Sequence, residues 1–532
     1  MFHRNAKTTL VVASWIIATS TLASRLIGLF RDRLFASHFG ASATLDIYYA
    51  AFRLPDFIFN LLILGTLSAA FIPVFVSYRS RSETAADELA NRVLSLACIG
   101  MSGLCLLLAV FAWPLTHILV PGFSGEKLSQ TVTLTRILLF TPLLFTLSSL
   151  LGGVLQSYKR FIITSIAPIL YNLGIIMGLV WGYPRFGITA LAFGVLAGAL
   201  IHALCHSIAV FWTGFRFHFT LSVHEAGVKK VITLFIPKIF GLDANQVSLL
   251  LGSVLGSLLP VGSIAIFNLA SNLQAVPIGI FAVSFAVAAF PLLSDSFARK
   301  DYDQFLSTLV DTAVQILFFM IPITVLMLVL RVFIVRIALG AGQFSWHDTT
   351  ITFQTLGIFT LSLCAQSLVP LLARAFYALQ NTYIPVICGL VSLLLNAVSS
   401  FVLSRHYGIL GVAGGFSIGS ICNCLLLLIF LHKNLENLFG SKKALRFFDR
   451  TFEQAITKIA ISALGMGVVT YGSLYALEPL LNTRTGLGIF IQAGVASSLG
   501  GIVFILLANM LRLPHIEPLL GKIKAIWVRF SP

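Results

Sequence analysis

The sequence predicts an all-α polytopic membrane protein of about fourteen transmembrane helices, built as two parallel six-helix lobes followed by two further helices. Three observations predict it. Of 532 residues, 58% are hydrophobic and 10% charged, too little charge to cover the outside of a soluble protein of this size. Apolar runs of about 20 residues, long enough to span a bilayer as a helix, recur from end to end. The chain also repeats itself: SAAFIPVF around Pro73 returns as AVAAFPLL around Pro291, and LQSYKRFIITSIAP returns as FYALQNTYIPVICG at nearly the same spacing. An even number of helices separates the copies, so both insert with the same orientation about an axis along the membrane normal.

Helix 1 is expected over 10–36, and its apolar run, near Leu10 to Phe30, is too long for a signal-peptide apolar region and lacks an obvious small-residue cleavage site behind it, so helix 1 is expected to stay. Helix 2, over 43–78, is long and expected to break at Pro55. Helices 3 to 6 fall near 88–116, 129–156, 161–183 and 187–213, completing an N-terminal lobe at 1–213. A polar linker, 214–227, is read as cytoplasmic and leads into helices 7 to 12 near 228–257, 263–296, 304–338, 350–380, 383–404 and 409–432, a C-terminal lobe at 228–434. The hydrophilic stretch HKNLENLFGSKKALRFFDR then precedes helices 13 and 14, near 454–476 and 486–511, within a terminal region 435–532 that ends in a cytoplasmic tail. Basic residues crowd one set of loops, among them Arg79, Arg81, Lys159, Arg160, Lys229, Lys230, Arg299, Lys300, Lys442 and Lys443, whereas the opposite loops hold few, such as Lys127, Arg185, Arg405 and Arg484. This asymmetry places both termini in the cytoplasm.

The stretch from Ser24 to Tyr78 carries Arg25, Arg31, Asp32, Arg33, Asp46, Arg53 and Asp56 inside two apolar segments. A charge near mid-bilayer costs several kcal/mol unless it meets a partner or a watery passage, so such a cluster is a functional hypothesis. Arginine suits forked contacts with phosphate, and Arg25, Arg31 and Arg53 together favour a phosphorylated or carboxylated head group. Arg31 and Arg33 lie near a helix end, where snorkelling is easy; Arg25 lies about two turns deeper. Asp32, Asp46 and Asp56 either balance the arginines or include a proton or cation site. Helix 7 adds Lys238 and Asp243 after Pro237, and helix 8 adds Asn272 and Gln274 beside Pro277, for which hydrogen-bonding glue between helices is the default.

Other chemistries find little support. The net charge of +16 has no compact basic domain to serve, so nucleic acid is not an expected partner; anionic lipids and anionic substrates are. Seven cysteines, all in apolar segments, form no disulfide framework. His202, Cys205 and His206 share a helix face but have no further ligand or acid nearby, so no metal is expected. The absence of a phosphate-binding loop, a nucleotide fingerprint and a nucleophile constellation argues against an enzyme and against a cofactor, leaving an ion gradient or the membrane potential to drive transport.

The segments SRLIGLFRD, FRLPD, NLQAVPIGIFAVSFAVAAFPLLS, RAFYALQNTYIPV and GILGVAGGFSIGS resemble, in the same order, the MurJ (MviN) lipid II flippases of the multidrug/oligosaccharidyl-lipid/polysaccharide exporter superfamily. The resemblance implies a bacterial inner-membrane protein that moves the undecaprenyl-pyrophosphate-linked peptidoglycan precursor outward by alternating access. Other polyprenyl-linked glycans, or drugs exchanged for cations, are the alternative cargoes. It further implies that Arg25, Arg31 and Asp32 stand at cavity positions, the arginines facing the pyrophosphate end, and that helices 13 and 14 form a groove for the polyprenyl tail. One chain holds both lobes, so a monomer suffices, and the cell-wall synthesis machinery is the associate this role implies. The sequence also departs from the pattern. The family's basic residue after the turn in helix 2 aligns with Phe59 or Asn60, a glutamate one turn later with Leu64, and the central arginine of helix 8 with Asn272. A helix 7 position linked in some members to sodium aligns with Gly252, while Asn396 keeps an amide on helix 11. Asp46, Asp243 and Asn396 are therefore the ion-coupling candidates, and Arg25, Arg31, Asp32, Arg53, Asp56 and Asn272 the substrate-binding ones.

Overall fold

A computed structural model describes residues 6–158, 160–239, 244–439, 450–482 and 485–513, and no strand occurs among them. The helices are α1 (Ala6–Phe39), α2 (Ala43–Phe59), α3 (Ser68–Arg79), α4 (Glu83–Val110), α5 (Ala112–Leu119), α6 (Gly125–Leu138) and α7 (Phe140–Ser157). There follow α8 (Phe161–Met177), α9 (Tyr183–Phe186), α10 (Thr189–Phe211), α11 (Ala226–Ile239), α12 (Ala244–Ser257), α13 (Ser263–Pro277) and α14 (Val283–Ala298). The last are α15 (Tyr302–Ala338), α16 (Trp346–Leu361), α17 (Leu363–Ala378), α18 (Tyr383–Tyr407), α19 (Ile409–Phe439), α20 (Arg450–Leu477) and α21 (Gly486–Met510). Side chains set several starts. Ser82 accepts from Ala85 N–H, Asp301 from Gln304 N–H, and Ser345 and Asp348 form a reciprocal capping box.

Ten helices among the described residues are long and apolar enough to cross a bilayer, or eleven if α16 and α17, bent by 46°, count as one. The other expected spans correspond to α1, to α2 with α3 and to α11 with α12, segments that carry the membrane charges or are interrupted. The expected break in helix 2 is displaced. Pro55 lies inside α2, and the irregularity is a π-helical segment, Asn60–Leu67. The Asn60 side chain donates to the Asp56 carbonyl at 2.8 Å, a local competitor for the backbone ladder at the point where it loosens. Two more π-helical segments occur among the described residues, Gly178–Gly182, which continues α8, and Ile278–Ala282, which follows Pro277. Ile278 is 218 positions after Asn60, the offset that separates Pro73 from Pro291, so this pair of irregularities follows the repeat, whereas Gly178–Gly182 has no counterpart in α18.

By contacts the chain divides into two units, one comprising Met1–Ala265 with Ala341–Phe344, the other Ile266–Gly340 with Ser345–Pro532. In the first unit α8 packs on α1 and α10, α7 on α4 and α10, and α2 on α6. There α11 lies against α3 and α4, and α12 against α2 and α5. Small residues make the α8–α10 seam. A Cβ added at Gly174 would overlap the backbone of Gly198, and one at Gly178 the backbone of Gly194, so glycine permits the close approach that holds helices together in lipid. The second unit packs α18 on α19, α20 on α21, and α15 on α14, α16 and α20. The α18–α19 seam reuses the pattern with Gly411, Gly415 and Gly419 on α19, but Asn396 and Ser400 stand on α18 where the first unit has Gly174 and Gly178. At the α16–α17 bend Gln366 Nε2 donates to Ser362 Oγ at 2.8 Å and Gln274 Nε2 to the Phe359 carbonyl at 3.2 Å. Gln274 is therefore glue between helices.

Candidate functional site

Three helices of the first unit assemble the site. On α1, Arg31 donates from Nε and Nη2 to Asp32 Oδ1, at 3.1 and 2.8 Å, and from Nη1 to Asn172 Oδ1 on α8 at 3.0 Å. The Asn172 amide is itself oriented, because its Nδ2 donates to the Pro168 carbonyl at 3.0 Å. Asp32 is buried while the Arg31 side chain keeps 23% exposure. A guanidinium has five N–H donors, and three are occupied here. One N–H on each terminal nitrogen is left, a pair able to take the oxygens of a phosphate. Asp56 on α2 is exposed and within electrostatic range of Arg31 and Arg53. Tyr48, Tyr49 and Tyr171 border the same group of charges.

The other predicted residues hold different positions. Arg53 is buried, and its Nε donates at 2.5 Å to Ser253 Oγ on α12, so it ties α2 to α12. Arg25 is half-buried on α1, about 9 Å along the axis from Arg31 at 1.5 Å per residue. Asp46 is buried and fully engaged. Its Oδ2 accepts from Gly262 N–H at 2.8 Å and from Lys127 Nζ at 3.1 Å, and its Oδ1 accepts from Ala265 N–H at 3.0 Å. It thus caps the start of α13, where a carboxylate meets unpaired N–H groups and the positive end of the helix dipole. Asn396 is buried in the α18–α19 seam and accepts at Oδ1 from Ser400 Oγ at 2.9 Å. Asn272 is half-buried on α13 in the second unit. Asp243 lies outside the described residues, as does the side chain of Lys238.

Sequence reasoning missed Asn172, Ser253, the three tyrosines and the pairing of Lys127. For Asn172 the signal was present, an amide in the apolar run IAPILYNLGIIM, which the rule for polar groups inside membranes also flags. His202 and His206 share one hydroxyl, Ser148 Oγ, at 2.7 and 3.0 Å from their Nδ1 atoms. No group of three metal-binding side chains occurs among the described residues.

Known proteins match this chain over most of its length. The family model "Lipid II flippase MurJ" matches residues 35–508. The chain belongs to the MurJ lipid II flippase family. A probable lipid II flippase MurJ of Buchnera aphidicola subsp. Acyrthosiphon pisum is 28% identical over 504 residues, covering 93% of this chain and 96% of that protein. A solved structure of a lipid II flippase MurJ in an inward closed conformation aligns with a TM-score of 0.74 at 25% identity, over 93% of this chain and 98% of that one. An inward-facing multidrug transporter of the MATE family shares the fold, with a TM-score of 0.63 at 15% identity over 79% of this chain and 98% of that one. Membership of the MurJ family together with the apolar helices makes this a multi-pass inner-membrane protein and a transporter by family.

Proposed function

We infer that this chain carries lipid II across the cytoplasmic membrane, engaging its pyrophosphate through Arg31. The observation that carries the assignment of the site is the Arg31 clasp. Asp32 and Asn172 hold the guanidinium in one orientation and leave two N–H groups for an anionic ligand. Pre-orientation of this kind lowers the ordering cost of binding. Arg25 adds positive charge along α1, Asp56 balances charge beside Arg31 and Arg53, and Arg53 positions α2 against α12. Asn272 is a neutral hydrogen-bonding group for the sugar or peptide part of the cargo. No covalent step is needed, and the cycle is alternating access of two lobes, 1–213 and 228–434, joined by the linker 214–227, with 435–532 apart from the repeat. Both termini face the cytoplasm, as the loop charges require, and one chain suffices for transport.

For ion coupling, Asp243 and Asn396 remain the candidates, whereas the three bonds at Asp46 favour a fastening role there. The test is reconstitution. Purified protein in vesicles should move labelled lipid II across the bilayer, and Arg31→Ala should reduce that movement at least tenfold with insertion unchanged. Equal transport by the Arg31→Ala protein would remove Arg31 from the pyrophosphate site.

A further inference from the structure

Away from Arg31, the first unit contains a second built feature. Residues 215–224 form no helix and lie along α4, held by side chains spaced one turn apart. Asn91, fully buried, donates from Nδ2 to the Arg216 carbonyl at 3.0 Å and accepts at Oδ1 from His218 N–H at 3.2 Å. Ser95 Oγ accepts from Thr220 N–H at 3.2 Å, and Arg92 pairs with Glu225. Beneath this strap is a cavity of about 350 Å³, walled by Val93, Ala97, Gly100 and Leu104 of α4 and by Val231 and Phe235 of α11. Its one polar lining residue is Thr146, whose hydroxyl already donates to the Pro142 carbonyl at 2.7 Å.

The pocket is open on one side, and apolar walls that face no partner atoms forfeit packing contacts. Water does not restore them. An ordered water needs two to four polar partners, and these walls offer only a hydroxyl that is already engaged. The filler must be apolar and must come from the bilayer. From Val93 to Leu104 the wall runs about 16 Å at 1.5 Å per residue, close to half of a hydrocarbon core ~30 Å thick. That is the reach of one lipid chain within one leaflet. On the same α11, Lys229 and Lys230 are exposed in the turn that bears Val228 and Val231, flanking the pocket rather than lining it, and a basic cluster at a membrane surface selects anionic head groups.

We propose that the α4–α11 cavity is a binding site for one acyl chain of an anionic phospholipid, whose head group pairs with Lys229 and Lys230. The bound chain completes the packing between α4 and α11, and the strap closes over it. The test uses the full-length protein purified in mild detergent and exposed to phosphatidylglycerol vesicles carrying a diazirine on the acyl chain. Cross-links are mapped by mass spectrometry, and retained lipid is counted by native mass spectrometry. Wild type should label at Met101 and in the 228–235 segment and should retain one phosphatidylglycerol. Gly100→Phe should lose at least nine-tenths of the label without losing thermal stability, since a Cβ at Gly100 meets open space. Lys229→Gln with Lys230→Gln should keep the label but lose the preference for phosphatidylglycerol over phosphatidylcholine. Labelling unchanged by Gly100→Phe, labelling elsewhere, or displacement of the probe by polyprenyl phosphate but not by phosphatidylglycerol would each overturn the proposal.

Discussion

Replacing Asn172 by leucine removes one acceptor from Arg31, together with a local bond from the amide to the Pro168 carbonyl on its own helix. Leucine keeps the branching of the side chain and suits the apolar surroundings of α8. The loss that bears on the ligand is the 3.0 Å bond between Arg31 Nη1 and Asn172 Oδ1. A hydrogen bond to a charged group contributes ~1.5–3 kcal/mol when buried. Arg31 keeps 23% of its side chain exposed, so water replaces part of the bond and about 1–2 kcal/mol is the expected loss, a factor of roughly 5–30. That loss should appear in affinity for the lipid-linked pyrophosphate, because Asp32 alone still holds Arg31 but lets it swing. Asn172→Asp should act more strongly, since a second carboxylate on the guanidinium neutralises it and repels the phosphate. The assay is binding of labelled lipid II to purified protein, paired with flipping in vesicles, for wild type, Asn172→Leu, Asn172→Asp and Arg31→Ala. If Asn172→Leu binds and flips like wild type while Arg31→Ala is inactive, Asn172 does not orient Arg31 and the clasp is refuted.

Three further predictions concern the framework and the lipid site. Asp46→Ala should cost about 3–5 kcal/mol, the cost of breaking a buried charged network by removing one partner, read as a large fall in thermal midpoint. Lys127→Ala should cost less, because Lys127 is 23% exposed and its contribution is screened by solvent. Gly178→Val should open the α8–α10 seam at about 1–3 kcal/mol and lower the yield of folded protein. Gly103→Val, where a Cβ meets open space, is the control that should be neutral. Gly100→Phe should match or exceed wild-type thermal stability in lipid-free detergent, since it fills the α4–α11 void.

The legible parts of this protein were those with a strong one-dimensional signal. Apolar runs near bilayer length and the 218-residue spacing of Pro73 and Pro291 anticipated the helices and the repeat, and the same offset relates the π-helical segments that begin at Asn60 and Ile278. Arg31 and Asp32 stood out because a charge in an apolar run is conspicuous. Their partner did not. Asn172 is uncharged and 141 positions away, and nothing local says that its amide faces Arg31. Asp46 read as an ion-site candidate because its three donors, on Lys127, Gly262 and Ala265, are 81, 216 and 219 residues distant. A carboxylate that caps a remote helix looks, in sequence, like one that holds a cation. The break expected at Pro55 moved to Asn60 because membrane helices absorb a proline by local adjustment, and the looser turn forms where the Asn60 side chain competes for a backbone carbonyl.

Movement of lipid II by way of Arg31 can be read in living cells by complementation. A bacterium whose own lipid II flippase can be depleted would express this protein, and exposure of lipid II on the outer face of the membrane would be measured. Wild type should restore exposure and growth, and Arg31→Ala, inserted to the same level, should restore neither. Rescue by Arg31→Ala equal to wild type, or no rescue by well-inserted wild type, would contradict the claim.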